Sequence, residues 1–464
     1  MSTKHSEAAA RFIADKKEEQ WHNETLWFVR DKRDKMSKAV PEWEALREYA
    51  SLVKMHTLSH LDEYLEMFAA KAEANGVIVH WAKDGDEHNR IVLDILKSHD
   101  AKKLVKSKSM LTEETHLNGF LEQNGVTVVE TDLGERILQM MKIPPSHIVM
   151  PAIHIKRQRV GELFEEKLHT EKGNFDPTYL TRAARLHLRN EFMTADAGLT
   201  GANFGVAATG DVVVCTNEGN ADMSTSLPKL HIVSMGIEKV VPNYTAMGVL
   251  TRLLARSATG QPCTSYTSHF RKARPGCEMH IVLVDNGRSD ILGNEEHWKT
   301  LKCLRCGACM NTCPVYRRSG GYSYTYFIPG PIGINLGMLR NPEEYADNVS
   351  ACSLCSSCDN VCPAKVDLSD QIYRWRQDLD SFHKANAMKK NMSKAMQYMF
   401  SHPSLYDSCL KMAPIVNHLP KCLIYNKMNA WGIGHDMPVF AKESFASLWK
   451  KGKVQQSKGN NNEQ

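Results

Sequence analysis

Between residues 303 and 363 one cysteine spacing occurs twice, and few folds can accommodate it. The first copy reads Cys303-Leu-Arg-Cys306-Gly-Ala-Cys309-Met-Asn-Thr-Cys313-Pro314, the second Cys352-Ser-Leu-Cys355-Ser-Ser-Cys358-Asp-Asn-Val-Cys362-Pro363. Both follow C-x2-C-x2-C-x3-C-P, the run that ligates a [4Fe–4S] cube. Three thiolates two residues apart wrap a short loop around three iron corners. The chain then turns away at the proline, whose fixed φ and missing N–H discourage continuation. The fourth cysteine of such a run ligates the other cube in two-cluster proteins. The expected sets are therefore Cys303, Cys306, Cys309 and Cys362 for one cluster, and Cys352, Cys355, Cys358 and Cys313 for the other. Structural zinc prefers separated C-x2-C pairs in a tetrahedral set and has little use for a third close cysteine. A disulfide framework fits no better, because the cysteines are packed too locally to cross-link distant segments.

Two cubes with crossed ligands must lie close together, and each passes one electron at a time, so they make a relay. Gly307 allows a tight turn between ligands. Lys302, Arg305 and Lys365 are placed either to offset the negative charge of a thiolate-ligated cluster or to sit in solvent. A relay needs a source and a sink, and no hydride-carrier site is evident. Gly198-Leu-Thr-Gly201-Ala-Asn-Phe-Gly205 is glycine-rich but does not spell G-x-G-x-x-G. A flavin, if one is used, belongs to another chain.

The length of 464 residues suggests about three domains. A net charge of +5, spread over many charges of both signs, gives no basis for a nucleic-acid partner. Met1 to Gln20 is charged and has no apolar core of the signal-peptide type. No run approaches the ~20 apolar residues of a membrane span. A cytoplasmic protein is expected.

Residues 1–45 have helical apolar spacing (Phe12, Ile13, Trp21, Leu26, Trp27, Val29). Such a segment can bind a membrane or a partner, but helices more often bury their apolar stripe internally, and folding back on its own domain is the favoured expectation. Residues 46–290 alternate short apolar strands with helices, which predicts an α/β domain with a mostly parallel sheet. Strands are expected at Val77–Trp81, Lys103–Lys106, Val126–Glu130, His147–Ile155, Asp211–Thr216, His231–Met235 and His280–Asp285. Helices are expected at Glu87–Lys97, Glu113–Asn124, Thr178–Asp196 and Thr245–Ser257. Residues 291–375 suit a helical ferredoxin module, because the Gly/Tyr/Pro-rich insert between the motifs is long for a compact β-type ferredoxin. Residues 376–450 read as a helical C-terminal region, and 451–464 as a disordered tail.

Within the α/β domain, Thr209-Gly-Asp211 precedes an apolar strand that runs into Asn217-Glu218-Gly219-Asn220. Polar and glycine residues beyond a strand's C-terminal end occupy the usual ligand position of parallel sheets, although the same residues also suit a plain turn. Thr209, Asp211, Asn217, Glu218, Gly219 and Asn220 are the candidate substrate-binding residues. No catalytic residue can be assigned from the pattern. In Glu130-Thr-Asp132-Leu-Gly-Glu135 the carboxylates are expected to cap the helix that follows. Lys106-Ser-Lys-Ser109 could hold a carboxylate or phosphate, or be surface charge. Cys215, Cys263, Cys277, Cys409 and Cys422 lack ligand spacing, and His147 and His154 read as satisfied core histidines.

Taken together, Lys106-Ser-Lys-Ser-Met110, Glu130-Thr-Asp-Leu-Gly-Glu135, Thr200-Gly-Ala-Asn-Phe-Gly205, Thr216-Asn-Glu-Gly-Asn220, Gly236-Ile-Glu-Lys-Val240, Asp285-Asn-Gly-Arg288, Gly330-Pro-Ile-Gly333 and the two cysteine motifs resemble the lactate utilization protein B family. This is the iron–sulfur subunit of the bacterial L-lactate utilization system. The resemblance implies an α/β domain similar to the sugar-phosphate isomerase and CoA-transferase superfold, a helical ferredoxin module and a small C-terminal region. It further implies two [4Fe–4S] clusters and a flavin-independent complex oxidising L-lactate to pyruvate, with a cysteine-rich subunit and another subunit sharing the α/β domain. It identifies neither the subunit that holds lactate nor the electron acceptor. Trp431, Pro438, Ser444-Phe445 and Trp449 resemble the family's tail, but His435-Asp436 stands where an arginine is expected. The competing expectation is a stand-alone carboxylate- or CoA-ligand enzyme with Glu218 as nucleophile, an analogy of fold alone.

Overall fold

The computed structural model describes residues 4–382, 387–420, 423, 425 and 437–453. Six strands form a parallel sheet in the order β1-β10-β7-β4-β2-β3, with β1 at Ile78–Ala82, β2 at Lys103–Lys106, β3 at Thr127–Glu130, β4 at Ala197–Gly201, β7 at Leu230–Gly236 and β10 at Glu278–Val284. Because successive side chains in a strand point to opposite faces, each central strand feeds two cores. Leu230, Ile232, Val282 and Val284 meet Val92, Leu93 and Leu96 of the helix Gly85–Ser98 on one face. Val233, Met235, Ile281 and Leu283 meet Leu61, Leu65 and Phe68 of the helix Leu61–Ala74 on the other. Burial on both faces explains why these strands read as continuous apolar runs.

A second sheet, ordered β8-β5-β6-β9, contains Phe204–Val206 (β5), Asp211–Thr216 (β6), Val240–Val241 (β8) and Tyr266–Phe270 (β9). The strand expected at Asp211–Thr216 is thus present but belongs here, antiparallel to β5 and β9. The reason is local. Thr209 and Gly210 both donate backbone N–H bonds to the Val206 carbonyl, with Gly210 at φ +74°, and a parallel crossover would need a dozen or more residues.

Other expectations are corrected. His147–Ile155 is a series of turns, not a strand. Pro144, Pro145 and Pro151 interrupt any ladder there, and the His147 ring accepts from the N–H groups of Val149 and Met150, at 3.0 Å each. The helix expected over Glu113–Asn124 is two, Met110–Glu114 and Leu117–Gln123, separated at His116 with φ +54°. The glycine-rich stretch at 198–205 holds the buried strands β4 and β5.

The N-terminal helices Lys4–Ala14, Lys16–Lys38 and Trp43–Ser59 fold back onto the cysteine-bearing segment. One continuous core joins Leu26, Trp43 and Ala50 to Phe204 and Val213 of the second sheet, to Leu250 and Leu254 of the helix Tyr244–Thr259, and to the cysteines themselves. Residues up to 383 accordingly make one compact unit. The second unit, from 384 onward, includes helices at Ala387–Ser401, Pro403–Met412 and Phe445–Lys450, the last capped by the Ser444 hydroxyl accepting from Ser447 N–H at 3.3 Å. Cys422, Trp431, His435, Asp436 and 454–464, most of the expected tail, lie outside the described residues. No helix among the described residues is long and apolar enough to cross a membrane.

Gly198 shows how tightly β4 is held. A Cβ there would lie 1.7 Å from the Ser224 carbonyl oxygen, a backbone atom that cannot move alone. Gly198→Ala should therefore lower unfolding stability by about 3 kcal/mol, the upper range for overpacking, in urea titrations.

Candidate metal centre and adjoining cavity

The two cysteine loops share a backbone design. Arg305 and Gly307 in the first, and Leu354 and Ser356 in the second, are all left-handed, with φ of +59°, +75°, +54° and +56°. This winding turns amide groups inward. Arg305 N–H donates to Cys303 Sγ and Leu354 N–H to Cys352 Sγ, both at 3.3 Å. Each fourth cysteine is bonded likewise, Cys313 Sγ by Tyr316 N–H at 3.5 Å and Cys362 Sγ by Val366 N–H at 3.4 Å. Only glycine reaches such φ values without strain, so the three non-glycine residues are held there by the loops around them.

Cys303, Cys306, Cys309 and Cys362 line one small cavity walled by Ile148, Ile332, Val366 and Leu368. Cys313 instead neighbours Cys352 and Cys358, and Cys309 and Cys358 lie close enough to feel each other's charge. The chain thus brings together the thiol groups expected from crossed ligation. Burial pushes the Cys306 thiol up to about 12 and those of Cys313 and Cys362 up to about 11. Four sulfurs around one apolar cavity, with N–H donors aimed at them, fit an iron–sulfur cube, whose iron would replace the protons. Cys355 is exposed, so the second set reaches the surface.

Cations not assigned a role in the sequence hold the loops. Arg47 donates from Nε to the Cys362 carbonyl at 2.9 Å and from Nη2 to the Asp359 carbonyl at 3.0 Å, and Arg33 Nη2 to the Val361 carbonyl at 3.1 Å. Arg376 bonds the Cys352 carbonyl. Their partners are more than 20 residues away in sequence, and no local spacing signals them. The three flanking cations have separate placements. Lys302 donates to the Lys365 carbonyl at 2.8 Å and to Ser51 Oγ at 2.7 Å, and Lys365 pairs with Glu48. Arg305 points elsewhere.

It lines a cavity of about 520 Å³, together with Cys306, Lys108, Asp132, Glu135, Asn217 and Glu218. The volume is that of a small-molecule site. Of the candidate substrate residues, Asn217 and Glu218 reach this cavity. Asn220 stands behind it, donating to Asp132 Oδ2 at 2.7 Å, and Gly219, at φ +68°, starts the next helix. Thr209 and Asp211 do not join them. They sit at the opposite end of β6, where Asp211 pairs with Arg271 at 2.7 Å and with the Tyr244 hydroxyl.

The polar groups around the cavity are cross-braced. Glu218 Oε2 accepts from Leu133 N–H at 3.0 Å, so this residue caps the helix Leu133–Met141, the role expected of Asp132 or Glu135. Asp132 Oδ2 instead accepts from Lys108 N–H at 2.6 Å, and Glu135 pairs with Lys108 Nζ at 2.7 Å. Burial, then the Glu135 charge, push the Asp132 carboxyl up to about 8, and burial raises that of Glu218. Lys106 is wholly buried against Glu130 at 2.7 Å, an internal ion pair. Burial lowers the imidazoles of His147, to about 3, and His154, to about 4. His147 Nε2 lies 3.0 Å from Asn311 Oδ1, and His154 meets Ser146 and Tyr322. Both lie in turns with their rings bonded, but only His147 is a core residue, His154 being half-buried.

Asp132 gives the fold a pH dependence with a definite sign. Its folded pKa exceeds the ordinary value near 3.8, so between about pH 4 and 8 the folded chain binds more protons and its stability falls as pH rises. Asp132→Asn should flatten that decline, read as melting temperature against pH.

Comparisons with known proteins agree with this architecture. The LUD domain pattern matches residues 65–291 and the 4Fe-4S dicluster domain pattern residues 299–366. The chain is 40% identical to the uncharacterized electron transport protein YkgF of Escherichia coli strain K12, covering 92% of each. It is 40% identical to lactate utilization protein B of Oceanobacillus iheyensis, covering 90% of each, and 44% identical to that of Geobacillus thermodenitrificans, covering 80% of each. Iron–sulfur clusters are its cofactors, carried behind a parallel-sheet LUD fold. By this likeness over nearly its whole length, the chain belongs to the lactate utilization protein B family.

Proposed function

We propose that the chain is the electron-transfer subunit of a cytoplasmic complex oxidising L-lactate to pyruvate, holding two [4Fe–4S] clusters on the crossed cysteine sets. The reading is supported by relatives named lactate utilization and electron transport proteins and by the 4Fe-4S dicluster domain. The observation that carries it is the division of the thiols. One set shares Cys306 with the wall of the large cavity, and the other includes exposed Cys355. The complex would also contain a cysteine-rich subunit and a second subunit with the α/β domain.

Oxidation of L-lactate to pyruvate releases two electrons and two protons. Bound clusters supply one-electron transfer. The protein's own part is to set the surroundings of the sulfurs. Amide donors from Arg305, Tyr316, Leu354 and Val366 stabilise negative charge on the sulfurs and so favour the reduced state. Arg33 and Arg47 fix the loop that bears Cys362 through its carbonyls. Apolar walls from Ile148, Ile332 and Leu368 exclude water from the first set.

Crossed ligation makes a sharp prediction. Anaerobically reconstituted protein should hold about eight irons, and Cys362→Ala should drop this to about four. The signal lost should be the one removed by Cys306→Ala, although Cys362 stands in the other motif. Zinc-loaded, colourless protein would refute the reading. Lactate-dependent dye reduction should require this chain together with its partner subunits, and should fail with either omitted.

A further inference from the structure

The cavity beside Cys306 is charged unevenly. Most of its ionic groups are neutralised within the wall. Arg288 lies between Glu114 at 3.0 Å and Glu238 at 2.5 Å, and Lys108 meets Glu135 at 2.7 Å. Arg305 has no such partner. Among the described residues it forms no ion pair, although Glu114 and Glu238 lie near enough to feel its charge, and its Nη1 is buried without a hydrogen bond. Lys239, in the same wall, comes only within 4.0 Å of Glu238. Thr216 Oγ1, also in the lining, is likewise buried and unbonded. A guanidinium nitrogen buried without an acceptor is costly unless a ligand supplies one, and the planar fork matches a carboxylate.

The remaining wall narrows the ligand class. Asp132, Glu135 and Glu218 offer three carboxyl groups against the single ammonium of Lys108, which disfavours a multiply charged anion such as phosphate. Those groups suit instead a hydroxyl or carbonyl oxygen beside the carboxylate, to which they can donate or from which they can accept a hydrogen bond. Arg305 also belongs to the loop of the first cysteine set. It stands between Cys303 and Cys306, and its backbone N–H is bonded to Cys303 Sγ. One residue therefore faces both the cavity and the sulfurs.

We infer that this cavity binds a small 2-hydroxy or 2-oxo carboxylate through Arg305 and Lys239, and that its occupancy lowers the reduction potential of the cluster on Cys303, Cys306, Cys309 and Cys362. The inference rests on the two-cluster reading for its electrochemical readout. The direction follows from charge. An anion that neutralises Arg305 removes a positive charge from beside the sulfurs, and the added electron is then less well stabilised. By linkage the same anion binds more tightly to the oxidised protein.

The test is a potentiometric titration of the reconstituted full-length protein, followed by electron paramagnetic resonance, with and without saturating pyruvate. One of the two cluster couples should move negative by about 59 mV, which corresponds to about tenfold tighter binding to the oxidised form, and the other should stay in place. Arg305→Gln should abolish the shift. Lys239→Gln should keep its sign and weaken pyruvate binding about tenfold by calorimetry. Two titrating clusters that ignore pyruvate would overturn the inference, as would an equal shift with inorganic phosphate at matched ionic strength. Absence of a second cluster signal before any ligand is added counts against the two-cluster reading instead. Pyruvate calorimetry on wild type and Arg305→Gln then decides the site alone. Should Arg305→Gln fail to load iron, Lys239→Gln decides it.

Discussion

Eight cysteines within one stretch of chain, five of them buried, set the terms for everything around them. A buried thiol has weak hydrogen-bonding ability and resists ionisation, as the upward displacement at Cys306, Cys309 and Cys358 shows. Ionising it requires a cation bound directly to sulfur, and retaining it requires donors aimed at the sulfur. The loops meet the second need with left-handed residues at matching places in both repeats, so the repeat is one of backbone shape as well as of sequence. The helices around the module then hold those shapes against the chain's own preference, which is why arginines reach loop carbonyls from Lys16–Lys38 and Trp43–Ser59.

The large cavity is the meeting place of the two halves of this design. The sheet domain contributes Asp132, Asn217 and Glu218 from the loops that follow its strands, and the cysteine loop contributes Arg305 and Cys306. The cation-rich part of the wall includes Arg288, Lys239 and Arg305. Glu238 is held down to about 2 despite burial, chiefly by Arg288, so this carboxylate remains ionised among them. The opposite part is acid-rich, and its Asp132 is readily protonated. A lining of opposed character is what orients a ligand with one charged and one polar end.

The parts readable from sequence were those whose signal is local. Cysteine spacing is a statement about a dozen consecutive residues, and buried parallel strands such as β7 and β10 announce themselves as β-branched runs. β4 was hidden by its glycines, which look like a loop until Ser224 is seen to press against Gly198. β6 was found at its full length and misplaced, because sheet membership depends on where β5 and β9 lie. The site behaved the same way. Asn217 and Glu218 stand after a strand and could be singled out, but Thr209 and Asp211 are near them only in sequence, and a six-residue strand carries them away. Arg305 could be flagged only as charge near a cluster, since its unbonded Nη1 is a property of the folded cavity.

Arg33 and the Val361 carbonyl it binds are 328 residues apart. At a synthesis rate of about 5–20 residues per second, the first emerges from the ribosome tens of seconds before the second. The sheet domain is complete by Val284, and the N-terminal helices can already pack on Leu250 and Leu254 of the helix Tyr244–Thr259 before the cysteine loops have been made. On the crossed sets proposed above, the first thiol set would lack its fourth member until Cys362 has been made. The arginine contacts that clasp the second cysteine loop from the first helices therefore close late, once Val361 and Cys362 have been made.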